Sequence, residues 1–274
     1  MRSELRVKLH PDSKDASNAN YRGPDFRIKT HTKQHWGDIY FAPTPVPFFT
    51  AFTPYDYGHY HDRFLEIFSA YLHNHHPDRT ECLKFVEIGA SYGNTTLAYK
   101  CGYDWSTTGQ IWSDDTVPLL PMRNVHVTAV DMSAPALRYG QARGIFDDVM
   151  VHDFNAHLPE ILTAILHDAD ALVLIMVSSY FEALPFQRLC LNFLGDREKQ
   201  KTIAYNVSCA FNSQNLSPEH LFAGIKNWTT STHFTKHRDF TESESALHHG
   251  CKESWSYTYL VNFDAVEVGD AATR

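Results

Sequence analysis

At 274 residues, with 43% apolar, 14% aromatic and 20% charged residues, the chain is long enough for one sizeable core plus an appended lid, and too rich in large hydrophobes for disorder. A net charge of -8 with no run of Lys and Arg supplies no field for a phosphate backbone, which excludes nucleic acid as a partner. The amino terminus MRSELRVKLHPDSKD has no apolar leader, and the greasiest stretch, residues 169–177, is too short to cross a bilayer; the expectations are no membrane partner and a cytoplasmic location.

The five cysteines are odd in number, widely spaced and never in CxxC pairs, so they read as reduced, mostly buried thiols. Asn94, Asn206, Asn215 and Asn227 each begin an N-x-[ST] triplet, which without a secretory signal is a chance match. Among 17 histidines only His73 and His76 of LHNHH have the spacing for a shared ligand on a helix. With no carboxylate in the HExxH manner, they read as a solvated helix end and no metal is expected.

In chain order, residues 1–60 are polar and then rich in proline and aromatics, with no sustained period, and read as an arm or lid over the remaining 61–274. From His61, Phe64, Ile67, Phe68, Tyr71 and Leu72 recur at helical spacing. A short apolar strand over 83–88 runs into Gly89-Ala90-Ser91-Tyr92-Gly93 and then a helix. Residues 102–123 are too long and polar for an ordinary connection and read as an insertion near the rim of a site. Strands follow at 125–130 and 149–151, closed by Asp131 and Asp153, with a helix at 134–143 between them. The unbroken apolar run 171–177 fits a central strand buried on both faces; a helix at 184–194 and strands at 202–207 and 255–263 complete the pattern. This alternation predicts an α/β fold with a Rossmann-like, doubly wound, mostly parallel sheet.

Ligands of such sheets sit at the carboxyl ends of the strands, where a glycine turn exposes backbone amides. The turn here lacks the middle glycine of G-x-G-x-x-G, and a carboxylate, Glu87, precedes it; both disfavour a pyrophosphate and suit a ligand carrying positive charge. The segment Val86-Glu87-Ile88-Gly89-Ala90-Ser91-Tyr92-Gly93 resembles motif I of class I S-adenosylmethionine-dependent methyltransferases. The resemblance covers residues 82–213 and implies a seven-stranded sheet with S-adenosylmethionine as cofactor. It assigns cofactor binding to Glu87, Gly89, Ser91 and Gly93, a ribose contact to Asp131 beside Met132, and the adenine to Asp153 and Phe154.

The reaction is less determined. Tyr180 follows the fourth strand, where its ring face suits a sulfonium or merely completes the core. Ser208 and Asn212, after the fifth strand, either face an acceptor or satisfy local backbone. His59, in the aromatic arm beside His61, is a candidate general base, with simple packing as the alternative. The leading expectation is methyl transfer to a small molecule, a secondary metabolite, by in-line approach. The trio Tyr180, Ser208 and Asn212 also resembles that of azetidine-2-carboxylate synthases, which cyclise the cofactor's own aminobutyrate and release methylthioadenosine. A third alternative is a non-catalytic scaffold that kept the fold. No motif fixes the oligomeric state, and a homodimer stays open.

Overall fold

The computed structural model describes residues 37–78, 80–195, 199–209 and 216–265. Its centre is one seven-stranded sheet in the order β3-β2-β1-β4-β5-β7-β6. The strands are β1 (Leu83–Ile88), β2 (Val125–Asp131), β3 (Asp148–Val151), β4 (Ala171–Leu174), β5 (Lys201–Ser208), β6 (Trp228–Asp239) and β7 (Glu253–Phe263). β1 to β5 are mutually parallel, and β7 runs antiparallel between β5 and β6.

Alternation along each strand builds a core on both faces. On one side Phe85, Val127, Val173 and Ala204 meet Phe64, Phe68 and Leu72 of α3 (Tyr57–His75), with the arm packed beyond. On the other, Val86, Leu172, Ile203 and Val261 meet α7 (Glu160–Asp168) and α8 (Ala183–Leu194), while α6 (Ala134–Ala142) joins β2 to β3 and α9 (Pro218–Leu221) precedes β6. The helical spacing read from His61 onward belongs to α3, but that helix begins four residues earlier, inside the stretch read as arm.

The arm is not structureless. Residues 37–52 form two short helices, α1 (Gly37–Tyr40) and α2 (Val46–Phe52). Between β1 and β2, α4 (Asn94–Thr96) continues as a π-helical turn over Leu97–Cys101. The insertion then carries a helix of its own, α5 (Trp105–Ser113), where the sequence predicted only a connection. Asp104 caps it by accepting from Thr107 N–H at 2.7 Å, and Asp62 accepts from Trp105 N–H at 2.7 Å. Trp112 sits edge-on to Phe48 at 5.8 Å, and a Cβ on Gly109 would lie 2.3 Å from the Phe49 ring. Arm and insertion therefore pack as one aromatic layer.

Three further expectations change. β6 was not predicted, because Thr229 to Thr232 are exposed and its buried positions include polar Thr235 and Arg238. The apolar run 171–177 stops being strand at Leu174, where the chain kinks. Of the five cysteines, which are free thiols, only Cys101 and Cys190 are buried. Asn94 and Asn206 are buried and hydrogen-bonded, so neither triplet is open to a glycan. His75 stacks on Tyr71, and His76 faces Glu81 at 3.7 Å, at the carboxyl end of α3. No helix among the described residues is long and apolar enough to cross a membrane.

Candidate functional site

The carboxyl ends of β1, β2 and β4 converge on the glycine turn. Gly89 has φ +70°, and any Cβ there would lie 2.2 Å from Val177 Cγ1, so the β4 loop closes directly over the turn. Gly93 has φ +85° at the start of α4, where a Cβ would lie 2.5 Å from Ile145 Cγ2. Both positions are open to glycine for conformation and for space. Ser91, between them, also has positive φ (+48°), and its buried hydroxyl has no partner among the described residues.

Asp131 ends β2 and reaches back to the turn. One carboxylate oxygen accepts from Ser91 N–H at 2.9 Å and the other from Ser133 N–H at 2.7 Å, which leaves each oxygen with capacity for a further donor. Burial raises its pKa, against the lowering by the Ser133, Ser91 and Met132 amides. Met132 follows, half-buried.

Glu87 is buried, with 2% of its surface exposed, and turns toward α4. Its Oε2 accepts from Thr96 Oγ1 and, at 2.9 Å, from the Tyr99 hydroxyl. Burial pushes its pKa up to about 7, against the donation from Thr96, Tyr99 and Thr95; the nearby Asp131 charge adds to the rise. Its carboxylate thus holds the helix that follows the turn, and its charge acts on the site from beneath.

At the end of β3, Asp153 is exposed and accepts from Asn155 N–H at 3.0 Å, the arrangement of a turn. Phe154 is half-buried and stacks on Phe181 at 5.4 Å. Asn155, which the sequence did not single out, joins two loops: its amide donates to Tyr180 O and accepts from Glu182 N–H, both at 3.0 Å. Tyr180 lies in the short turn after β4 and hydrogen-bonds the Tyr40 hydroxyl of α1. Burial pushes Tyr180 up to about 12, so it stays a neutral donor.

The arm covers this region. Tyr92 OH reaches Ile39 O at 2.8 Å and Ala42 O at 2.7 Å, and Ser133 Oγ donates to Tyr40 O at 2.6 Å. Residues of the turn and of β2's end thereby pin residues 39–42 above them.

The remaining candidates fall elsewhere. His59 is exposed on the outer side of α3, because the helix turns its inner face with Tyr57, Tyr60, His61 and Phe64; a general base directed into the site is not what this position provides. His61 is the buried one, with Nε2 3.1 Å from Asn94 O and Nδ1 3.2 Å from Asp62. Ser208 is buried at the end of β5, 3.4 Å from Ser254 Oγ, which is itself 3.4 Å from His237 Nδ1. Asn212 lies outside the described residues.

No family model matches the chain, and neither does any curated protein. Among solved structures, plantazolicin methyltransferase BpumL in complex with SAH is 10% identical at a TM-score of 0.46, over 82% of this chain and 93% of that one. Magnesium protoporphyrin IX methyltransferase from Synechocystis PCC 6803 with bound SAM is 10% identical at 0.42, over 85% and 88%. Coclaurine N-methyltransferase bound to N-methylheliamine and SAH is 10% identical at 0.39, over 73% and 70%. Likenesses of this size say nothing of the reaction. The fold itself is plain in the strand order: a seven-stranded, mostly parallel, Rossmann-like α/β sheet with its glycine turn after β1.

Proposed function

We propose that the chain binds S-adenosylmethionine at the carboxyl ends of β1 to β4 and transfers its methyl group to a small-molecule acceptor. The observation that carries this reading is the join between Asp131 and the glycine turn. A carboxylate with spare acceptor capacity stands 2.9 Å from the Ser91 amide, beside a buried Ser91 hydroxyl that lacks a partner among the described residues. A polar group in that state calls for a ligand. Gly89 and Gly93 let it approach backbone; on this reading Asp131 takes the ribose diol, Asp153 the edge of the adenine and Phe154 its face.

When bound, the cofactor supplies an electrophilic methyl group on a sulfonium. The protein's own part is to hold, orient and exclude water. Asp131, joined by Glu87 where that group is ionised above about pH 7, gives the site negative charge, which favours a ligand with sulfonium and ammonium groups. The arm, pinned by Tyr92 and Ser133, closes over the turn and keeps water from the reacting end. The Tyr40 and Tyr180 hydroxyls remain protonated and hydrogen-bond each other with Tyr40 donating, so on this reading Tyr180 is the hydroxyl that donates to an acceptor or orients it. Positioning of this kind supplies much of the rate in a direct displacement.

Incubation of the purified protein with S-adenosylmethionine, followed by mass spectrometry, tests the reading. The cofactor should stay bound and intact until an acceptor is added. Methylthioadenosine with a four-carbon cyclic amino acid would replace methyl transfer by cyclisation. Absence of calorimetric binding, or Asp131→Ala binding as tightly as the wild type, would overturn the site.

A further inference from the structure

Five non-glycine residues among those described have positive φ: Asp56, Ser91, Met176, Asn227 and His249. Asp, Asn and His tolerate this conformation better than other side chains. The remaining two stand at the carboxyl ends of neighbouring strands, Ser91 three residues past β1 and Met176 two residues past β4. A methionine at φ +64° is the more costly, since its long side chain gains nothing locally from the left-handed form.

The surroundings hold it there. Asn206, buried at 1% exposure in β5, accepts from Met176 N–H through Oδ1 and points its amide at Met176 Sδ, 3.1 Å away. One asparagine thus fixes both the backbone and the sulfur of one methionine, across neighbouring strands. The kink ends β4 early and sends Val177 over Gly89, and the chain then turns into Tyr180. The Met176 side chain is half-buried and packs against the core on the α3 side of the sheet, one residue before the Val177 that lies over Gly89.

Glycine would take this conformation without the Cβ penalty. Strain at a strand end persists only where the surroundings over-determine it, and such positions gather at functional sites. We propose that Met176 is a wall of the S-adenosylmethionine site at the reacting end, and that Asn206 is the positioning residue that sets it. The inference rests on the cofactor reading above. A thioether suits the place: it is polarisable and adapts its shape to an apolar or cationic neighbour.

The test is a spectrum of the full-length protein with methyl-13C methionine, titrated with S-adenosylhomocysteine. The chain has five methionines, including Met132 beside the ribose acid, Met176, and Met122, which is 55% exposed in the insertion. Met176→Leu assigns the Met176 signal. The Met132 and Met176 methyl signals should both move while that of Met122 stays. Movement of Met132 without Met176 would leave the cofactor reading intact and overturn this one; movement of neither would overturn both. Met176→Gly adds an independent arm: its melting temperature should match or exceed that of the wild type, while S-adenosylhomocysteine binds about tenfold more weakly. Met176→Leu, which restores the bulk, should recover most of that affinity. Unchanged affinity in Met176→Gly would show that the side chain lines nothing.

Discussion

Two buried glutamates mark two regions that solve the same problem in opposite ways. Glu244, in the short helix α10 (Glu242–Leu247), is fully buried and takes a bidentate pair from Arg238 at 2.7 and 2.8 Å. Burial raises its pKa, but the hydrogen bonds and charge of Arg238 outweigh that and hold it below the usual range. Glu87, beneath the glycine turn, has only hydroxyl donors and no cationic partner among the described residues. Its pKa rises instead, to about 7. A carboxylate given a cation is complete, and its region is built to hold the edge of the sheet. A carboxylate given only hydroxyls keeps part of its demand unmet, and on the function proposed above its region takes a ligand that brings positive charge.

The sharpest way to break this contrast is to make the Glu244 region resemble the other. Arg238→Ala leaves Glu244 buried without its cation and should lower stability by about 3–5 kcal/mol, read from denaturant unfolding. Restoring neutrality with Glu244→Gln in the same chain should recover part of the loss. If Arg238→Ala costs under about 1 kcal/mol, the pair is solvated in solution and the two regions are not opposites.

The same contrast shows what could be read without coordinates. The strand ending in Glu87, the glycine turn and the strand ending in Asp131 were legible, because an apolar run stopped by a charge and a glycine has one reading in a parallel sheet. Asp131's bond to Ser91 was not, since it joins residues 40 apart. α5 does carry local signals, an Asp cap and Trp105, Ile111 and Trp112 on its buried side, but a Gly and several hydroxyl residues mask them. β6 left almost none, because a strand at the sheet's edge with exposed threonines lacks the alternation that buried faces impose. The Met176 kink has no local sign in the sequence; its only trace is Asn206, a polar residue amid the apolar run of β5 that also begins an N-x-[ST] triplet. The Arg238 to Glu244 pair was unseen for the same reason as β6, which carries the arginine.

A second, smaller effect concerns pH. Glu87 has a folded pKa of about 7 against 4.5 for an ordinary glutamate, so the folded protein holds the proton more tightly than the unfolded chain. Its contribution to stability is full below about 4.5 and is lost as pH rises toward 7. Glu244 slopes the other way: its contribution is present above 4.5 and is lost as pH falls through its lowered value. Glu87→Gln should remove the decline between pH 4.5 and 7, making the variant about 1–3 kcal/mol more stable than the wild type at pH 8. On the cofactor reading, ionisation of Glu87 should raise S-adenosylmethionine affinity from pH 6 to pH 8 in the wild type and not in Glu87→Gln. A wild-type affinity flat across that range would show that the ligand does not feel this charge.

The smallest expected effect isolates one donor. Tyr99 OH gives its hydrogen bond to Glu87 at 2.9 Å from the π-helical turn, and Thr96 gives the other from the turn before. Tyr99→Phe keeps the ring packed against Phe68 and Phe85 and removes only the hydroxyl. The cost should be about 1 kcal/mol at pH 8, where the bond is to a charged carboxylate, and less at pH 5, where Glu87 carries its proton. Because the loss of a donor disfavours the ionised form, the midpoint for Glu87 should move upward in the variant. A cost that is the same at both pH values would mean that the hydroxyl serves packing alone, and Glu87 would then be as closed a region as Glu244.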